Sequence, residues 1–160
     1  MLLSGPEPQR TIFESLMTKE LKKFQGKVLL VRGLPGDKAT DAVAIAGKTN
    51  ITAVNHLSAN SLNDALLQSE WVICRSGYTT IMDLIKLGHK AVLVPTPGQT
   101  EQEYLAFYFN AKKIFFAALQ KDFLLDDVLK SAAAFSFDSS TWQTDEYKTV
   151  ISNFIDSLHY

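Results

Sequence analysis

Two short stretches of this chain combine residue types that bind anions and hydroxyl groups. They are Arg75-Ser76-Gly77-Tyr78-Thr79-Thr80 and the loop from Pro95 to Glu103, which carries Gln99, Thr100, Gln102 and Glu103. In the first stretch, Ser76, Gly77, Thr79 and Thr80 stand just ahead of an apolar helical pattern. The first N–H groups of a helix lack intrahelical partners and sit at the positive end of its dipole. Hydroxyls and a glycine placed there make an anion site, because glycine lets the anion approach the backbone closely. Ordinary capping and a tight turn use the same residues, so both readings stand. Asp83 follows about one turn later, where a carboxylate either accepts two hydrogen bonds from a diol or serves as a helix-start acid. The amide and acidic groups of Gln99, Thr100, Gln102 and Glu103 suit a hydroxyl-rich ligand such as a sugar, and equally suit a solvated loop.

Other chemistries lack their residues. There is no Gly-x-Gly-x-x-Gly dinucleotide fingerprint and no Gly-Lys-Ser/Thr phosphate loop. His56, His89 and His159 are scattered without metal-ligand spacing, so no metal and no cofactor is expected. His89 follows Gly88 at a helix end, where a cation is favourable. Ser76 is not in a Gly-x-Ser-x-Gly elbow. The single cysteine, Cys74, lies inside an apolar run and reads as a small buried hydrophobe, which fits a reducing, cytoplasmic setting.

The elements that must position these loops follow from the apolar pattern. Val28–Val31, Ile51–Val54, Trp71–Cys74, Ala91–Val94 and the weaker Ile114–Ala118 are continuous apolar runs, typical of strands covered on both faces. Leu2-Leu3 reads as the end of one more strand, either very short or continued upstream. Between these runs lie helical patterns: Ile12 to about Phe24, a short one over Leu62–Gln68 capped by Ser61, Thr79–Leu87 closed by Gly88, and Gln102–Ala111. Phe123–Phe135 and Thr141–Leu158 read as two final helices, and Ala39–Ala46 as a short helix or an irregular excursion. Tyr104, Leu105 and Tyr108 are expected to face inward, and Phe107, Phe109, Phe115 and Phe116 to fill the core around the last strand. Strands alternating with helices at ~20–25 residue intervals predict an α/β fold: a Rossmann-like parallel sheet of about six strands covered by helices on both faces. Segments that follow strands then share one edge of the sheet, and ligands bind there.

The bounds are those of one ordinary domain spanning 1–160. The composition is 46% hydrophobic and 21% charged, with a net charge of −1, which gives no electrostatic case for nucleic acid. No run approaches the ~18 apolar residues of a membrane-spanning helix.

At the first of the two stretches the sequence resembles the C-terminal, nucleotide-sugar-binding half of GT-B glycosyltransferases. It is similar to glycosyltransferase family 28, which includes the lipid II-forming N-acetylglucosaminyltransferase. The family's strand–Arg-Ser-Gly-x-x-Thr–helix element reads here as Val72 to Thr80, followed by an acidic position at Asp83. Its Leu/Gly–strand–Pro continuation reads as Leu87-Gly88 and Val92 to Pro95, and its amide-bearing sugar loop as Gln102-Glu103-Tyr104.

The resemblance implies that Ser76, Gly77, Thr79 and Thr80 line the diphosphate end of a nucleotide sugar, with Arg75 among the donor-binding residues and UDP the family default. Asp83 stands where the family has Glu for the ribose hydroxyls. Gln102 would hold the donor sugar, helped by Gln99, while Glu103 replaces a second Gln. The first loop, Ser4-Gly5-Pro6-Glu7-Pro8-Gln9-Arg10, departs from the family's Gly-Gly-Ser, leaving Ser4, Gly5 and Arg10 for any phosphate contact. The base would lie against the loop around Ser58 and Ala59. The implied function is the donor-binding domain of an inverting hexosyl- or N-acetylhexosaminyltransferase. Its acceptor side and catalytic base would lie in an N-terminal domain or a partner subunit. Peripheral membrane association would come through that other half. Three further readings stand beside it: a natural half-enzyme with a membrane-anchored partner, half of a nucleotide-sugar 2-epimerase, and a non-catalytic sugar-nucleotide module.

Overall fold

The computed structural model describes residues 1–34, 43–44 and 47–138. The strands are β1 Val28–Val31, β2 Val43–Ala44, β3 Ile51–Val54, β4 Val72–Cys74, β5 Ala91–Leu93 and β6 Phe116–Ala117. The helices are α1 Gln9–Leu21, α2 Ala59–Leu67, α3 Tyr78–Leu87, α4 Thr100–Ala111 and α5 Leu125–Ala134. Two three-stranded groups, β1-β3-β2 and β4-β5-β6, are joined by the segment at Leu2, which bridges in parallel to Val31 on one side and Cys74 on the other. The expected first strand is thus a bridge rather than a full strand. The Leu2 N–H donates to the Ile73 carbonyl at 2.8 Å and the Leu3 N–H to the Val31 carbonyl at 2.9 Å.

Five of the six strands run parallel, as the alternation of runs predicts. β2 is the exception and pairs antiparallel with β3 (Val43 opposite Ala53). It occupies two residues of the expected Ala39–Ala46 excursion, whose remainder lies outside the described residues, as does the expected helix over Thr141–Leu158.

Because the strands are buried on both faces, their apolar runs divide by alternation. Ile73, Val92 and Val94 join Leu30, Ile51 and Ala53 under α1 and α5, packing on Phe13, Met17, Leu21, Phe123, Leu125 and Ala132. Val72, Cys74, Ala91 and Leu93 face the other way, against Leu66 of α2, Ile81 and Leu84 of α3 and Ala106 of α4. Each fully buried side chain of Leu, Ile or Phe size contributes roughly 1.5–3 kcal/mol. Cys74 is buried as expected, and burial pushes its thiol up to about 12, so it is no nucleophile.

Several boundaries differ from expectation. α2 is capped by Ser58 rather than Ser61: the Ser58 hydroxyl accepts the Ser61 N–H at 3.2 Å. α4 presents only the small Ala106 fully to the sheet, which lets the helix sit close. Tyr104, Phe107 and Tyr108, spaced three and four apart, therefore lie on its outer arc, with Phe107 74% exposed. Phe115 is in the core as expected, and Phe109 and Phe116 are half-buried against it. Gly88 closes α3 in the left-handed conformation at φ 62°. His89 anchors the following turn, its ring nitrogens 2.8 Å from the Ser69 carbonyl and 3.0 Å from the Lys90 carbonyl.

Candidate functional site

The chain leaves Leu2 toward β1 and β3 on one side, then crosses to β4, β5 and β6 on the other. The crevice between Leu2 and β4, at the C-terminal ends of the strands, is therefore the topological switch point, where open α/β sheets bind ligands. Two turns flank it: Ser4 to Pro8, leading into α1, and Arg75 to Gly77, leading into α3. Thr96 of the β5–α4 loop lies beside the first, its Oγ1 3.8 Å from where a Cβ on Gly5 would stand.

The α3 turn is open. Gly77 is the helix N-cap and provides no side-chain cap, and the first turn of α3 holds no acidic residue. The Ile81 N–H returns to the Gly77 carbonyl at 3.0 Å, which leaves the N–H groups of Tyr78, Thr79 and Thr80 as the unpaired donors of the helix start. Gly77 has φ −74° and ψ 140°, extended backbone that any residue adopts. A Cβ placed on it meets nothing within 4 Å. Neither backbone nor packing demands glycine there. Thr79 is exposed, Thr80 half-buried, and Asp83, further along the helix, is exposed without an ion pair among the described residues.

The α1 turn is closed. Arg10, expected as a phosphate contact, is buried and held by two carboxylates, Nε on Glu7 at 2.6 Å and Nη1 on Glu14 at 2.7 Å. Glu14 also accepts from Arg32, whose Nη1 donates to Asn55 Oδ1 at 2.9 Å. The four charges cancel, so the network offers no surplus positive charge to an anion. Glu7 in turn accepts the Thr11 N–H at 3.2 Å and caps α1. Hydrogen bonds from Thr11 and Arg10 hold the Glu7 carboxyl below its ordinary value. Burial pushes the Glu14 carboxyl up, but hydrogen bonds from Arg32 and Arg10 outweigh it and hold it below the usual range. Ser4 and Gly5 remain exposed at the crevice, Gly5 at φ 109°, which favours glycine.

Two further residues expected at the ligand do not present their side chains to it. Ser76 is fully buried, and its hydroxyl donates to the Gln102 carbonyl at 2.8 Å, tying the α3 turn to α4. Arg75 is 1% exposed, with its guanidinium carbon 4.0 Å above the Phe13 ring. Its Nη1 donates to the Val94 and Pro95 carbonyls at 3.2 and 3.1 Å, and its Nη2 to the Gln9 carbonyl at 3.3 Å. The sequence marks both as polar residues in a loop and carries no sign that the loop folds over them.

The start of α4 is a third wall. Gln102 Oε1 accepts the Thr96 N–H at 3.0 Å, its Nε2 donates to Gln99 Oε1 at 2.6 Å, and Glu103 Oε1 accepts the Gly98 N–H at 2.9 Å. Glu101 and Glu103 put negative charge in this first turn, which disfavours a phosphate and suits hydroxyls. Ser58 and Ala59, exposed at the start of α2, follow the C-terminal end of β3 on the same edge. Thr96 and Arg32 were not singled out by residue type, the first hidden between two prolines, the second at the end of an apolar run.

A cavity of about 390 Å³ lies at the opposite end of the strands, lined by Phe24, Gly26, Val28, Gln68, Trp71 and Leu129 among others. The C-terminal ends of α1 and α2 face it, together with Met1, Lys27 and Glu70.

The fold and its open edge define a class, the Rossmann-like half of a GT-B glycosyltransferase. A solved structure with this fold is the glycosyltransferase SnogD from Streptomyces nogalater, which superposes with a TM-score of 0.53 at 15% identity over 88% of this chain. The match covers 41% of that protein, so this chain corresponds to less than half of its length. No curated protein sequence matches the chain. The family model for the glycosyltransferase family 28 C-terminal domain matches residues 9–156, and the chain belongs to that family.

Proposed function

We propose that this chain is the donor-binding domain of an inverting glycosyltransferase that uses a nucleotide sugar, with UDP the favoured nucleotide. The observation that carries the reading is the α3 start: an uncapped, acid-free helix N-terminus whose N-cap glycine borders empty space at the switch point. In this reading the diphosphate sits on the N–H groups of Tyr78, Thr79 and Thr80 and the Thr79 and Thr80 hydroxyls. Ser4 and Gly5 close the far side. Asp83 takes the ribose diol, and the base lies toward Ser58 and Ala59. The second Nε2 hydrogen of Gln102, with Gln99 and Glu103 beside it, addresses the sugar. The helix start then stabilises the nucleoside diphosphate as negative charge builds on it during departure. The base that deprotonates the acceptor belongs to an N-terminal domain or partner subunit, so the 160 residues alone bind donor without turning it over.

The closed, charge-neutral α1 turn favours a second reading, a sugar-nucleotide-binding module without catalysis, because it leaves the phosphates held from one side. Titration calorimetry with UDP, UDP-N-acetylglucosamine, and GDP and TDP sugars tests both. Binding of a UDP sugar is expected. No binding by any nucleotide would sink the donor-binding reading, and sugar transfer by the isolated chain would sink the assignment of the base elsewhere.

A further inference from the structure

Arg75 is a buried cation without an anion. Its three bonded partners are backbone carbonyls, its Nε has no partner at all, and no ion pair among the described residues includes it. Arg10, the other buried guanidinium, differs in having two carboxylates. A buried charge left unpaired is costly, and proteins normally neutralise it or pair it. Carbonyl dipoles and the Phe13 ring face relieve part of that cost. Burial alone, with no opposing acid, pulls the guanidinium down to about 10, so it stays charged at neutral pH.

Its position gives the charge a use. Arg75 is the residue before Ser76 and Gly77, and it grips the first residue of α1 and Val94 and Pro95, the two residues that follow β5. It therefore lies buried in the turn that leads into α3, screened from water and exposing no surface for a ligand to touch.

We infer that Arg75 is a positioning residue whose uncompensated buried charge is completed by the phosphates of the bound nucleotide. This rests on the donor-binding reading. Charge acting through a poorly solvated loop is screened far less than charge acting through water. Affinity should therefore rise with the number of phosphate charges, and that dependence should belong to Arg75. A residue that only clamps the loops would change phosphate-bearing and phosphate-free ligands alike.

The test is calorimetry of UDP, UMP and uridine on the 160-residue chain and on Arg75→Gln and Arg75→Lys. The expected result is that Arg75→Gln lowers the UDP-to-uridine affinity ratio by ~10–100-fold, while Arg75→Lys keeps it within about threefold. A ratio unchanged in Arg75→Gln, or uridine weakened in step with UDP, overturns the inference while leaving the donor-binding reading intact. Wild-type chain that binds none of the three overturns both. If Arg75→Gln does not fold, the lysine variant decides alone. A buried amine is readily neutralised, so at ~pH 8.5, above the last phosphate ionisation, UDP should drive proton uptake that uridine does not. That uptake is read from heats in buffers of different ionisation enthalpy, and equal uptake with both ligands counts against the role.

Discussion

The two strand-to-helix turns that flank the switch point are built in opposite ways. The α1 turn satisfies itself: Glu7 caps its helix, Arg10 joins Glu7 to Glu14, and Arg32 extends the chain of charges to Asn55. The α3 turn leaves its donors free, carries no acid in its first turn and keeps a glycine where no backbone strain requires one. The same place in the topology thus carries a self-satisfied turn on one side and an open one on the other. What separates them is whether the polar groups at the helix start find partners inside the chain.

Glycine sharpens the contrast, because its role differs between the two regions. Gly33, just after β1 and against the start of the α1 turn, has φ 69°, and a Cβ there would stand 2.2 Å from the Leu3 carbonyl oxygen. Backbone against backbone cannot give way cheaply, so Gly33→Ala should cost about 3 kcal/mol or more of folding stability. Urea unfolding followed by circular dichroism measures it. A loss under ~1 kcal/mol would show that Leu3 and Gly33 are not held together as described.

At Gly77 the expectation reverses. Gly77→Glu introduces no strain and no clash, so stability should stay within ~0.5 kcal/mol of wild type. The new carboxylate would occupy the anion position, and UDP affinity should fall by ~100-fold or more, about 2.7 kcal/mol. Calorimetry and thermal unfolding on the same sample separate the two effects. A variant that keeps UDP affinity would place the ligand elsewhere.

How much of this was legible in residue order follows the same division. The strands were legible because a helix-covered parallel sheet makes its strands uniformly apolar, as at Val28–Val31 and Ala91–Leu93. The α3 turn was legible because glycine and hydroxyls before a helix are what an open helix start looks like. Arg10 was not, since a cation near a loop reads the same whether it meets a phosphate or, as here, Glu7 and Glu14 one helical turn away on either side. The buried placement of Ser76 and Arg75 was hidden for a tertiary reason: their partners, the carbonyls of Gln102, Val94, Pro95 and Gln9, lie 19 to 66 residues away and are invisible as side-chain types. Phe107 misled because the size of Ala106, rather than the number of aromatics, decides which arc of α4 meets the sheet.

The smallest expected effect distinguishes the two turns by pH. Glu7 and Glu14 are both held below their ordinary value of 4.5 in the folded chain. The unfolded chain therefore binds more protons than the folded one as pH falls through that range. The stability these carboxylates contribute is complete above about pH 4.5 and is lost as pH falls below it, through their folded values. Glu7 is exposed and screened by water, so most of the dependence should come from the part-buried Glu14. Glu14→Gln should flatten the acid limb of a urea-unfolding series taken from neutral pH downward, and Gly77→Glu should leave that limb's Glu14 component in place. Neither the Tyr78 nor the Thr80 side of the α3 turn holds an acid, so the open turn should add nothing to it. An acid limb unchanged by Glu14→Gln would mean that the charge network does not stabilise the α1 turn, and that its closed character comes from packing alone.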